Sequence, residues 1–330
     1  MRDLPIPACV TAGDRTAARP IYGESKVFLE LEGLPLVAHV VRTLQRVPEV
    51  SEVWVVGDPG RLEKALGSEE LRRELRKPLR VVPQFRNLYE NAWQTYRRLL
   101  PGAGPEGRDP SEPDLDQQVL YLSGDLPFAT PEEISEFVRR SSALGCDFCL
   151  GLVTEESMRG FEPDAPGAPG IRMAYFNLRE GRFRQSNLFL VKPARIGNRH
   201  YVEEMYEHRY QRQFGQILAL AWRLLRSEAG GLRLLFYYAL MHLASVADRW
   251  GWRRCADFLR RPLPIARVEA TLGRLLRTSL RLVVTEVGGC AVDIDNEPDY
   301  DAAKARFTEW RAVQAARAAH LARELEGGSS

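Results

Sequence analysis

Short apolar runs alternate with amphipathic stretches through the first 150 residues. "PACVTAG" reads as a strand, and "LPLVAHVVRTLQRV" sets its apolar side chains at helical spacing. "SEVWVVGD", "LRVVPQ" and "QQVLYLSGDLPF" predict further strands. "RLEKALGSEELRREL", "NLYENAWQTYRRLL" and "TPEEISEFVRRSSAL" predict the helices between and after them. The last of these opens with Thr130 as N-cap, Pro131 at the first helical position and acids in the first turn. "CDFCLGLV" closes the series as a strand. Such alternation predicts an α/β protein: a mostly parallel sheet with helices on both faces. Its ligands would sit beyond the carboxyl ends of the strands, where "TAGDR" and "SGDLPF" fall.

The pattern then changes. "RGFEPDAPGAPG" has loop composition, and strands follow around "IRMAYFNL" and "FRQSNLFLVKP". From 195 to 282 the chain becomes helical and holds 16 Arg against 7 Asp and Glu. "LRLVVTEV" predicts a strand, followed by a turn, an acidic loop and a long final helix. This predicts an α/β unit from 1–194 plus 283–330 and a basic helical insertion at 195–282. Three roles suit the insertion: a subdomain packed on the sheet, a peripheral membrane surface, or a dimer interface. Arg and Trp suit a headgroup zone. No nucleic-acid reader motif accompanies the arginines, so nucleic acid is not an expected partner.

At 330 residues, 45% apolar and 27% charged, the chain can bury a large core. A net charge of +2 gives no whole-molecule case for a polyanionic partner. Five scattered cysteines do not form a disulfide framework, and Cys146 and Cys149 read as small hydrophobes of a buried strand. The start lacks the apolar core of a signal peptide, and no apolar run reaches the roughly 18 residues of a membrane span. The expected location is cytoplasmic, with peripheral membrane contact through 195–282 as the variant.

Candidate chemistry gathers in three places. In the opening loop, Ala12 and Gly13 permit close approach of backbone N–H groups, and Arg15, Arg19 and Lys26 supply positive charge. Small residues with cations can cradle a polyphosphate; they can equally be a solvated loop. Neither GxGxxG nor GxxxxGK[ST] is present. Asp125 ends the run "VLYLSGD", as a turn former or a ligand. In "AVDIDNEPDYDAA", Asp293 and Asp295 face the same side of an extended chain, and Asp299 suits the start of the last helix. A hard divalent cation held by one or two carboxylates and substrate phosphates would account for Asp125 and Asp295 together. No histidine sits in a motif, and His39 reads as structural.

The order "TAGDR…SKVFLELEGLPLVAHVV", "VLYLSGDLPFATPEEI", "AVDIDNEPDYDAA" resembles the nucleotidyltransferase superfamily. Its members include molybdenum-cofactor guanylyltransferase-like and sugar-phosphate nucleotidyltransferases. The resemblance implies a Rossmann-like, GT-A-like fold with a helical insertion. It implies transfer of a nucleoside monophosphate from an NTP to a phosphorylated sugar, alditol or cofactor, with magnesium as the metal and pyrophosphate released. Arg15 and Lys26 would then be the catalytic cations, with Ala12, Gly13, Asp14 and Arg19 wrapping the triphosphate. Asp125 and Asp295 would hold the metal. Gln84, Arg86 and Asn91 match the loop near the base. Asn187, Lys192 and Asp293 match the region of the second substrate. The chain departs from the pattern at Asp14-Arg15, where a second glycine is usual, at Ser25, where a proline precedes the lysine, and at "DNEPD". A glycosyltransferase on the same fold, or a silent nucleotide binder, are the alternatives.

Overall fold

The structure, a computed structural model, describes residues 5–13, 20–199 and 231–327. Strand β1 (Ile6–Ala12) leads to a short antiparallel pair, β2 (Glu30–Leu31) and β3 (Leu34–Pro35), and then to α1 (Leu36–Leu44). β4 (Val50–Gly57), α2 (Pro59–Leu66), α3 (Glu69–Glu74), β5 (Leu79–Pro83), α4 (Leu88–Leu99) and β6 (Val119–Ser123) continue the alternation. α5 (Pro131–Ala143), β7 (Phe148–Thr154), α6 (Glu155–Met158), β8 (Phe176–Leu178) and β9 (Gly181–Val191) follow. Beyond residue 230 come α7 (Gly231–Arg249), α8 (Arg253–Arg260), α9 (Ile265–Leu276), β10 (Leu280–Thr285) and α10 (Glu297–Gly327).

The main sheet runs β10-β7-β9-β6-β1-β4-β5, with β8 beside β9. Strands β5, β4, β1 and β6 are mutually parallel, as are β7 and β10. β9 runs antiparallel between β6 and β7. Alternation along each strand explains why helices cover both faces. Ala8, Val10, Val53, Val55, Leu120 and Leu122 enter one apolar cluster with α1, α2 and α5. Cys9, Trp54, Val56 and Tyr121 enter another with Tyr96 and Leu100.

Two local outcomes differ from the sequence pattern. The helix expected over "RLEKALGSEELRREL" is broken into α2 and α3. Gly67 ends α2, where a Cβ would lie 2.5 Å from the Glu63 carbonyl oxygen. The Ser68 hydroxyl then accepts from the Leu71 N–H at 3.3 Å and starts a new helix. Of the strand expected around "IRMAYFNL", only Phe176–Leu178 pairs.

The described part of the 195–282 segment packs on the sheet. Leu240 and Leu263 join Leu152, Leu178 and Phe183 in a buried cluster. Residues 200–230 of that segment lie outside the described residues. Cys146 and Cys149 are buried thiols, their sulfurs 2.9 Å apart. His39 is buried, its Nε2 3.0 Å from the Leu31 carbonyl oxygen.

Candidate active site

Parallel pairing aligns the C-terminal ends of four strands. Ala12 pairs with Gly57, Gly57 with Pro83, and Thr11 with Ser123. The Gly124 N–H donates to the Thr11 carbonyl at 3.0 Å, and a Cβ on Gly124 would stand 3.2 Å from that oxygen. Glycine therefore lets the chain leave β6 tight against β1, which sets Asp125 beside the start of the opening loop. Asp125 is fully buried and its Oδ1 accepts from the Ser123 hydroxyl.

Lys26, at the start of a single 3-10 turn, meets two carboxylates at once. Its Nζ is 2.5 Å from Asp125 Oδ2 and 2.8 Å from Asp295 Oδ1. Burial alone would lower the lysine pKa; the attraction of Asp125 and then Asp295 outweighs it and raises the pKa above the ordinary lysine value. The two carboxylates thus favour the ammonium form. Asp125 Oδ2 is buried with no hydrogen-bond partner besides this ion pair among the described residues. Two carboxylates separated by 170 positions thus converge on one cation.

The acidic loop is held from behind. Arg184 of β9 donates from Nε to the Ala291 carbonyl and from Nη2 to Asp293 Oδ1, each at 2.7 Å. Glu133 of α5, buried, accepts from the Gly288 and Cys290 N–H groups, each at 3.0 Å. Burial pushes the Glu133 pKa up to about 7 against the pull of those amides. Ile294 between the two acids is buried, while Asp293 pairs with Arg184 and Asp295 with Lys26. Burial raises the Asp293 pKa to about 6, helped by Asp295 and Asp125, while Arg184 and Lys26 oppose the shift.

On the other flank, a Cβ at Gly13 would lie 3.2 Å from Gln84 Oε1 and 3.4 Å from Asn91 Nδ2. Gly13, Gln84 and Asn91 therefore share one corner. Asn91 is buried and its Oδ1 accepts from the Phe85 N–H at 2.6 Å, which fixes the loop between β5 and α4. Arg86 pairs instead with Glu90, one helical turn on, at 3.0 Å. Asp14, Arg15 and Arg19 lie outside the described residues.

The antiparallel course of β9 separates the candidates for the second substrate. Its first half runs beside the C-terminal ends of β6 and β7. Asn187, with a φ of 51° where the β7–β9 register shifts, precedes Leu188, the partner of Leu122. Lys192 follows Val191, the partner of Val119 at the opposite end of β6. Four strand steps put that end about 13 Å from Ser123. Lys192 is engaged there by Asp116 at 3.1 Å and Asp147 at 3.6 Å. The structure does not bring Lys192 to this corner. Arg184, Glu133 and Ser123 were not evident from sequence, because each acts through a partner that only the fold supplies.

Together these features define an α/β protein of the mostly parallel, doubly covered kind, with a cation-and-carboxylate site at its strand ends. The pattern of the MobA-like NTP transferase domain matches residues 8–226, two thirds of the chain, and the chain belongs to that family. The match runs past 194 into the basic segment and ends before Asp295. A 2-C-methyl-D-erythritol 4-phosphate cytidylyltransferase from Chlorobium luteolum is 26% identical over 125 residues, 37% of this chain and 48% of that protein. The chain thus spans about half the length of this curated relative. A hypothetical transferase from Thermus thermophilus has the same fold, with a TM-score of 0.51, 23% identity, and coverage of 89% of this chain and 99% of that one.

Proposed function

We propose that the protein transfers a nucleoside monophosphate from an NTP to a phosphorylated sugar, alditol or cofactor, releasing pyrophosphate. The observation that carries this is the meeting of Lys26, Asp125 and Asp295 at the strand ends beside Gly13. The cytidylyltransferase relative makes CTP the first nucleotide to try.

The acceptor phosphate oxygen, already an anion, attacks the α-phosphorus of the NTP. The bond from that phosphorus to the β-phosphate oxygen breaks, and pyrophosphate leaves with the electron pair. No general base is needed, because the attacking oxygen already carries the negative charge. Lys26 neutralises charge on the phosphates and aligns them; Gly13 lets the nucleotide approach the backbone beside Gln84 and Asn91. The site also fits magnesium. Hard carboxylate oxygens of Asp125 and Asp295 converge on one cationic point, and buried Asp125 Oδ2 has the Lys26 ammonium as its one partner among the described residues. Among the described residues no third acid, His or Cys completes a protein cage. A metal held partly by substrate phosphates suits that donor set. When bound, magnesium supplies Lewis-acid charge at the phosphate oxygens.

The test measures pyrophosphate with each NTP, magnesium and a panel of sugar and alditol phosphates. Release that requires NTP and acceptor together supports the reading. Thermal stabilisation by NTP without turnover would assign a silent binder, and turnover of a nucleotide sugar a glycosyltransferase; either refutes it.

A further inference from the structure

We propose that the hairpin of α7 and α8 is a docking surface for the headgroup zone of an anionic phospholipid bilayer. Along α7 and its continuation to Trp250, whose N–H still donates to the Val246 carbonyl, Phe236, Leu243, Val246 and Trp250 follow one another at steps of seven, three and four, so they form one stripe. All four are exposed, Trp250 by 67%. Leu240, Ala244 and Ala247, on the adjoining flank of the same helix, are buried, so the stripe borders the seam that packs on the sheet. Gly251, with a φ of 76°, turns the chain into α8, where Trp252 and Phe258 are exposed by 58% and 66%. The two tryptophans meet edge to face at 5.3 Å. Monomers rarely leave so many large apolar side chains together in water.

Charge identifies the occupant. Residues 231–282 carry ten Arg and three acids, a formal +7, whereas the whole chain carries only +2. Arg253, Arg254 and Arg261 are exposed around the aromatics, and Arg261 lies over the Phe258 ring at 5.9 Å. The three acids offset this field weakly. Asp248 is claimed by Arg182 of β9, Asp257 pairs with Arg260, and Glu269 accepts from the Leu282 N–H. Interfacial tryptophan, an apolar stripe and flanking arginine are what a negatively charged leaflet attracts. A nucleic-acid strand would use the arginines but not Leu243 or Val246. No helix among the described residues is long and apolar enough to cross a membrane, so α7 would lie along the surface.

The test uses the full chain and flotation with vesicles of phosphatidylcholine, with or without phosphatidylglycerol. Binding is expected only to the anionic vesicles and should weaken as salt is raised. The indole fluorescence should shift to the blue on binding. Trp250→Ser with Trp252→Ser, and separately Arg253→Ser with Arg254→Ser, should each weaken binding at least about tenfold. All four side chains are exposed, so the melting temperature should hold. Three results would overturn the proposal: no binding to anionic vesicles at low salt, binding indifferent to both double variants, or a dimer in sedimentation velocity that the tryptophan variant dissolves.

Discussion

Lys26→Met offers the sharpest test of how the site is held together. Asp125 has no exposed side-chain surface, and its charge partner stands 2.5 Å away. Removing the ammonium leaves a buried carboxylate uncompensated, which typically costs 3–5 kcal/mol. Lys26 keeps 22% of its side chain in solvent, so water reaches the gap and the low end applies, about 3 kcal/mol. That is a roughly 150-fold change in the folding equilibrium. Urea unfolding in chelated buffer would measure it. Adding Asp125→Asn to the same chain removes the stranded charge, so the double variant should recover most of the loss, a coupling that a double-mutant cycle reads directly. A Lys26→Met midpoint within 1 kcal/mol of the parent, or a double variant as unstable as the two single losses added together, would refute the reasoning.

Three further outcomes are expected. Asp295 is half exposed, so Asp295→Asn should cost under about 1 kcal/mol of stability yet cut pyrophosphate formation at least about 100-fold; urea titration and turnover separate the two. Burial lowers the His39 pKa to about 4. Because that lies below the unfolded value of 6.5, its contribution is complete above pH 6.5 and lost as pH falls toward 4, about 3 kcal/mol in all. His39→Gln should remove that part of the acid slope, seen by comparing unfolding midpoints at neutral and acid pH. Glu133→Gln leaves one of the Gly288 and Cys290 amides without an acceptor. It should cost about 1–3 kcal/mol, and hydrogen exchange should rise at those two amides.

Elements whose cause is local were legible. β1, β4, β5 and β6 declare themselves by apolar runs, and α5 by its Thr130 cap and Pro131. The direction of β9 was not, because an apolar run reads the same for a parallel or antiparallel neighbour. That one ambiguity put Asn187 and Lys192 at the same place in the sequence reading, while the fold sets them toward opposite ends of β6. The break at Gly67-Ser68 was missed because the helical period continues across it while the capping chemistry does not. The common placement of Asp125 and Asp295 came from motif order. Their meeting on Lys26 depends on three-dimensional distance, which no spacing encodes.

The reversed strand that sequence could not orient is also what stabilises the acidic corner. Asp293 feels the like charges of Asp295 and of the fully buried Asp125, although the three acids are not gathered closely enough to form one ligand cage. Lys26 serves Asp125 and Asp295 but makes no ion pair with Asp293. A second cation is needed, and Arg184 provides it only because β9 runs antiparallel, opposing Val153 near the C-terminal end of β7. A parallel β9 would reverse which end of the sheet its first half occupies, carrying Arg184 away from this corner and leaving Asp293 unpaired. By gripping the Ala291 carbonyl as well, Arg184 fixes the backbone two residues before Asp293 and so the approach of Asp295 to Lys26. Among the described residues Asp125, Asp293 and Asp295 thus face Lys26 and Arg184.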